Sequence, residues 1–149
     1  MTSVVDANIL LHAVNRASRQ HQPCLEWLTQ ALNGNSPVAF TWLALTAFIR
    51  ISTRAGILDS PLKISEAFDC VEDWLNQPPS RILFPGPRHL AAYRLLAEKV
   101  GIAGNLTMDA HLAAIALDHE AELISCDADF ARFPGLKWFN PATGERNKR

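Results

Sequence analysis

The stretch Ser3-Val4-Val5-Asp6-Ala7-Asn8 decides the fold. Strand-forming residues run straight into an acid, and Ile9, Leu10, Ala13 and Val14 then follow at helical spacing. A short strand therefore passes directly into a helix. The same alternation continues along the chain. Cys24, Leu25, Trp27, Leu28, Ala31 and Leu32 form a second amphipathic stripe that ends at Gly34, and Val38-Ala39-Phe40 reads as a second strand. A helical segment is expected over 43–54, and another beginning at Pro61, with Ile64, Phe68, Val71 and Leu75 as its buried face. Arg81 to Phe84 is a third strand closed by Pro85-Gly86-Pro87. Leu90, Tyr93, Leu96, Ala97 and Val100 mark a helix broken by Gly101 and Gly104. Thr107 is placed to cap a helix over 108–119, Glu122 to Cys126 is a fourth strand, and Lys137 to Phe139 a last one. Strands separated by helical crossovers predict an α/β fold with a mainly parallel sheet and helices on its faces.

At 149 residues the chain is expected to form one domain over 1–141, followed by a polar, basic tail over 142–149. A content of 48% hydrophobic and 19% charged residues excludes disorder, collagen and coiled coil. The formal net charge is −1; the last five residues carry +2, which leaves the body at −3. Binding to nucleic acid through bulk positive charge is thereby excluded. Cys24, Cys70 and Cys126 lack the spacing of a zinc site or a redox pair and are expected as reduced thiols. With no signal core and no membrane-length apolar run, the expected location is the cytoplasm, with no membrane partner.

In an open parallel sheet, ligands sit beyond the carboxyl ends of the strands. Two apolar strands here run into acids there: Val4-Val5 into Asp6, and Leu123-Ile124-Ser125-Cys126 into Asp127, with Asp129 two residues further on. Asp109 opens the helix before the second of these strands. Taken singly, each acid has an ordinary alternative as a helix or turn cap. Taken together at one sheet edge, they repel one another unless a cation intervenes. Mg²⁺ or Mn²⁺ is the natural counter-ion, because these metals take hard oxygen ligands and suit phosphodiester hydrolysis. The five histidines are scattered, and His111 points to a different side of its helix from Asp109. Arg50 and Arg54, one turn apart, are candidates for contact with RNA phosphates, and equally for a solvated pair. Trp27, Trp74 and Trp138 are expected in the core or on a dimer surface.

Three blocks together resemble a known family: Val4-Val5-Asp6-Ala7-Asn8, then Asp109-Ala110-His111-Leu112-Ala113-Ala114, then Ser125-Cys126-Asp127-Ala128-Asp129-Phe130. In this order and at about this spacing they are similar to the PIN-domain ribonucleases, and within them to the VapC toxins of bacterial toxin–antitoxin pairs. The resemblance implies a three-layer α/β/α sandwich. It implies Asp6, Asp109 and Asp127 as catalytic, metal-binding acids, with Asp129 as an accessory ligand and Asn8 and Ser125 in support. It implies a Mg²⁺-dependent endoribonuclease that cuts structured RNA such as tRNA or ribosomal RNA, a homodimer, and a VapB-like antitoxin through which alone the protein would meet DNA. One element departs from the pattern. The family's usual Glu falls near Ala47, and the stretch 41–54 contains no acid; Trp42, Leu45, Phe48 and Arg50 look like a branch that lacks it. The departure favours one metal ion over two. It also keeps open a non-catalytic PIN domain that binds RNA or a partner, beside the alternative of a DNA-acting nuclease.

Overall fold

The computed structural model describes residues 1–101, 104 and 106–147. Strand β1 (Ser3–Val5) is followed by α1 (Ala7–Val14) and α2 (His21–Leu32), then β2 (Val38–Phe40) by α3 (Trp42–Ser52) and α4 (Ile64–Leu75). Strand β3 (Ser80–Ile82) leads to α5 (His89–Val100) and α6 (Leu106–Asp118), and β4 (Glu122–Ile124) to a 3₁₀ turn (Ala128–Arg132), β5 (Lys137–Asn140) and β6 (Glu145–Arg146). The sheet order is β3-β2-β1-β4-β5-β6, parallel except for the antiparallel β5–β6 pair. The order reverses at β1, so the crevice between the ends of β1 and β4 is the topological switch point of the fold.

Side chains alternate across the sheet and fill two cores. Val5, Ile124, Val38 and Phe40 point into the layer built by α1 to α4, where Ile9, Leu10, Leu28, Leu45 and Phe48 meet them. Val4, Leu123, Ala39 and Trp138 point the other way, against α6, the 3₁₀ turn and the inner side of α5. Helix α6 buries Ala110, Leu112, Ala113, Ala114, Ile115 and Ala116. Its alanines let the helix lie close to the sheet while its N-terminal turn reaches the switch point. The three-layer α/β/α sandwich expected from the sequence is the fold observed.

The differences are local. On α4 the buried positions are Ala67 and Val71, with Cys70, Trp74 and Leu75 partly covered, whereas Ile64 and Phe68 are 58% and 54% exposed. Two stripes one position apart share Val71 and Leu75, and periodicity alone cannot choose between them. The helix starts at Ile64, three residues after Pro61, where the Glu66 carboxylate accepts a 2.8 Å hydrogen bond from the Lys63 N–H. Leu90, expected inside, is 78% exposed, and α5 presents Leu96 to the core instead. Thr107 lies within α6 rather than at its cap. Gly101 ends α5 in the left-handed region at φ 66°, where any residue bearing a Cβ is strained. Trp138 is fully buried, while Trp27 and Trp74 are half-buried, Trp74 edge-on to Phe48 at 4.8 Å.

The polar tail carries no strand signal in its sequence. Residues 145–146 nevertheless pair with β5, Arg146 bridges to Glu122 at 2.9 Å and lies over the Phe139 ring, and the Asn147 side chain accepts from the Trp138 N–H at 2.9 Å. Lys148 and Arg149 lie outside the described residues. No helix among the described residues is long and apolar enough to cross a membrane.

The α4 assignment has a measurable consequence. Replacing buried Leu45 by Ala is expected to cost about 2–5 kcal/mol of unfolding free energy. Phe68→Ala is expected to stay within about 0.5 kcal/mol despite removing a larger side chain. Urea unfolding of the two variants checks this, and a large loss for Phe68→Ala would place that residue inside a core or an interface.

Candidate functional site

Register brings the site together. Val5 pairs with Ile124, so the next residues, Asp6 and Ser125, face each other across the ends of β1 and β4, and the Asp6 N–H donates to the Ile124 carbonyl at 3.0 Å. Asp6 is the N-cap of α1, with Oδ1 accepting from the Ala7 N–H at 2.8 Å. Its Oδ2 accepts from Ser125 Oγ at 2.7 Å and from Asn8 Nδ2 at 3.2 Å. Capping and site building are thus performed by the same carboxylate.

Ser125 is the centre of this arrangement. Its buried hydroxyl donates to Asp6 and accepts from Asn8 Nδ2 and from the Asp127 N–H, each at 3.0 Å, which uses its one donor and both lone pairs. Asn8 uses both amide hydrogens on Asp6 and Ser125, and its Oδ1 accepts from the Cys126 N–H at 3.1 Å. These partners fix which way the Asn8 amide points. From below, the Trp138 indole N–H donates to the Ser125 carbonyl at 3.0 Å. Asp127 then caps the 3₁₀ turn by accepting from the Asp129 N–H at 2.9 Å.

Asp109, in the first turn of α6, joins from the opposite layer. Carboxylate oxygens of Asp109, Asp127 and Asp129 all lie within 4.8 Å of one another. Asp6 stands outside that cluster of three but close enough to be felt: its charge helps raise Asp109, and Asp127 helps raise Asp6. Burial is the largest cause for both. It holds Asp6 above the usual carboxylate range against the lowering effect of Ser125 and Ala7, and it drives Asp109 up to about 7 together with Asp127, Asp6 and Asp129. An all-oxygen donor set of three carboxylates, one of them Asp109 with its raised pKa, fits a hard divalent cation, which would favour the ionised form.

Arg50 is exposed in the last turn of α3, about 12 Å along the axis from its first residue, and Arg54 is exposed beyond the helix end. His111, two residues after Asp109, packs against α5, its Nδ1 2.7 Å from His89 Nε2. Ala47 sits half-buried within α3. The Trp138 contact and the Asn8–Cys126 bond were not foreseen. The latter follows from the pairing of β1 with β4, which places residue 8 beside residue 126 and which no local sequence pattern encodes.

The PIN-domain profile matches residues 3–136. Ribonuclease VapC37 of Mycobacterium tuberculosis is 44% identical over 138 residues, covering 93% of this chain and 96% of that protein. Ribonuclease VapC33 of the same species is 41% identical with the same coverage. Among solved structures, VapBC-1 from nontypeable Haemophilus influenzae aligns with a TM-score of 0.70 at 18% identity, covering 95% of this chain and 98% of that one. Mycobacterium tuberculosis VapC20, described as a sarcin-ricin loop cleaving toxin, aligns with a TM-score of 0.64 at 14% identity, covering 87% and 92%.

The charge cluster makes a prediction. In the metal-free protein the folded state holds the Asp109 proton more tightly than the unfolded chain does. The associated stability is therefore present at low pH and lost as pH rises from about 4 through about 7. Asp109→Asn in EDTA is expected to melt a few degrees above the parent at pH 8, with the gap narrowing through pH 5 and closing near pH 4. Thermal melts across pH check this, and a lower midpoint for the variant at pH 8 would contradict it.

Sequence identity above 40% over almost the full length of both chains, together with the profile match and the shared fold, shows that this chain belongs to the PIN-domain family, in its VapC branch.

Proposed function

We propose that the protein is the endoribonuclease toxin of a VapBC-type pair, dependent on Mg²⁺ or Mn²⁺. The observation that carries this reading is the gathering of three carboxylates from two layers of the fold at the switch point of a parallel sheet. Asp109, Asp127 and Asp129 would hold the ion, with Asp6 beside them. When bound, the cation supplies an activated water and neutralises charge on the phosphate and the leaving oxygen. The chain's own contribution is positional. Ser125 and Asn8 fix Asp6 and the Asp127 turn, and burial at the junction of β1, β4 and α6 keeps Asp6 and Asp109 in a medium where charge is poorly screened, while Asp129 stays exposed. With Ala47 where the family's usual Glu falls, a single ion suits the donor set.

The relatives above 40% identity are named ribonucleases, which supports RNA as substrate. Structured RNA with an unstacked loop, in tRNA or ribosomal RNA, is the proposed target; the description of the VapC20 neighbour points the same way. The VapBC complexes among the structural neighbours support a VapB-like antitoxin. A C-terminal antitoxin segment bearing Arg would be drawn to the carboxylates and close the cleft. We assign the protein a homodimeric state, to be checked by sedimentation, and contact with DNA only through the antitoxin.

The test is incubation of antitoxin-free protein with total tRNA and ribosomal RNA, with Mg²⁺ or EDTA, beside Asp109→Asn and Asp127→Asn. Discrete fragments that require the metal are expected from the parent. Either Asn variant is expected to lose more than about 100-fold in rate, and Ser125→Ala about 10–100-fold. Absence of cleavage by folded, metal-loaded protein would favour a binding-only domain, the reading that Ala47 supports. Equal cutting of a DNA of the same sequence would favour the DNA-acting alternative.

A further inference from the structure

Two of the three cysteines meet, although 102 residues separate them in sequence. Cys24, in the first turn of α2, is fully buried, and Cys126, just past the end of β4, is partly exposed; their Sγ atoms lie 3.5 Å apart. All three cysteines are free thiols, and Cys70 lies on α4. Cys126 occupies the position between Ser125, which orders the acidic site, and Asp127, which belongs to the three-acid cluster. Its own N–H is held by Asn8. Cys24 sits on the helix packed against α1, the helix that Asp6 caps.

We propose that Cys24 and Cys126 are an oxidisable pair whose closure by a peroxide links α2 to the end of β4, displaces the Asp127 turn and weakens divalent-cation binding. The chemistry balances. The more accessible Cys126 sulfur attacks the peroxide O–O bond, giving a sulfenic acid and one water. The Cys24 sulfur then attacks that sulfenic sulfur and expels the second water, so two thiols lose two electrons and two protons to one hydrogen peroxide. A disulfide needs S–S near 2.05 Å, so the sulfurs must approach by about 1.5 Å from their present contact. Cys24 is enclosed by the core of α1 and α2, whereas Cys126 lies at the rim, so the movement falls mainly on the 126–127 segment. That segment carries the Asn8 bond and the Asp127 N–H bond to Ser125, so closing the disulfide acts on the site through two named contacts.

The second half of this proposal rests on the reading of the acids as a cation site, and the experiment separates the two. The full chain is treated with one equivalent of hydrogen peroxide, then examined by intact mass, peptide mapping and Mn²⁺ titration, with and without dithiothreitol. A loss of 2 Da, a crosslinked peptide joining Cys24 to Cys126, and Mn²⁺ affinity about 10-fold weaker than in the reduced protein, restored by reductant, are expected. Cys70→Ser is expected to behave like the parent, and Cys24→Ala to show no 2 Da loss. A crosslink through Cys70, no crosslink, or an oxidised protein that binds Mn²⁺ as tightly as the reduced one would overturn the proposal. A reduced protein that binds no Mn²⁺ would overturn the cation reading, and with it the functional half of the proposal, while the mass still reports on the thiol pair.

Discussion

The structure is organised around one electrostatic problem: carboxylates collected where water is partly excluded. Asp6 is held at the meeting point of β1, α1 and β4, and its hydrogen bonds from Ala7, Ser125 and Asn8 offset part of its desolvation. Ser125 cannot move without releasing Asp6, Asn8 and Asp127 together, because its hydroxyl serves all three. The strands beneath are only three or four residues long, and their register is what makes this hydroxyl available at the right place. A slip of one residue would turn Ser125 into a core and Ile124 or Cys126 toward Asp6. Two apolar layers that accept opposite faces of each strand make such a slip costly, so the packing of the sandwich also fixes the chemistry at its edge.

That site is destabilising by construction. Burial and the neighbouring carboxylates raise the proton affinity of Asp6 and Asp109, and Asp6 and Asp127 sit at element ends that they themselves cap. The first turn of α6 suits Asp109 through the helix dipole, while the same position places it against Asp127 and Asp129. The sequence leaves a cap and a place in the acidic crevice as alternatives for Asp6 and Asp127; in the structure each caps its element and lies in that crevice.

Strand-to-acid transitions made β1, β4 and the location of the site legible, since hydrophobic runs that stop at an Asp leave few places for that Asp in a parallel sheet. The helices were legible as elements but not always as faces. On α4 the residues 64, 68, 71 and 75 form as good a stripe as 67, 70, 71, 74 and 75, and only the position of Phe48 and its neighbours on α3 decides between them. What sequence could not reveal are pairings over long separations. Trp138 with the Ser125 carbonyl, Cys24 with Cys126, and Arg146 with Glu122 depend on the order of strands, which no local pattern encodes. The cluster is also tighter around Asp129 than the resemblance implied, with Asp6 as a neighbour of the three-acid group.

The short final strand has a further meaning for how the molecule meets other chains. By pairing with β5 and being held by Arg146 and Asn147, it occupies the edge of the sheet on that side. On the far side, β3 is three residues long, preceded by Pro78 and Pro79 and followed by Pro85 and Pro87, which have no N–H to offer. Among the described residues, neither border presents a long, regular row of free backbone groups. Recruitment of an extended peptide as an extra strand is disfavoured, as is runaway edge-to-edge association at high concentration. The larger exposed surfaces of the molecule are its helix faces and the acidic crevice, where side chains rather than backbone groups are presented.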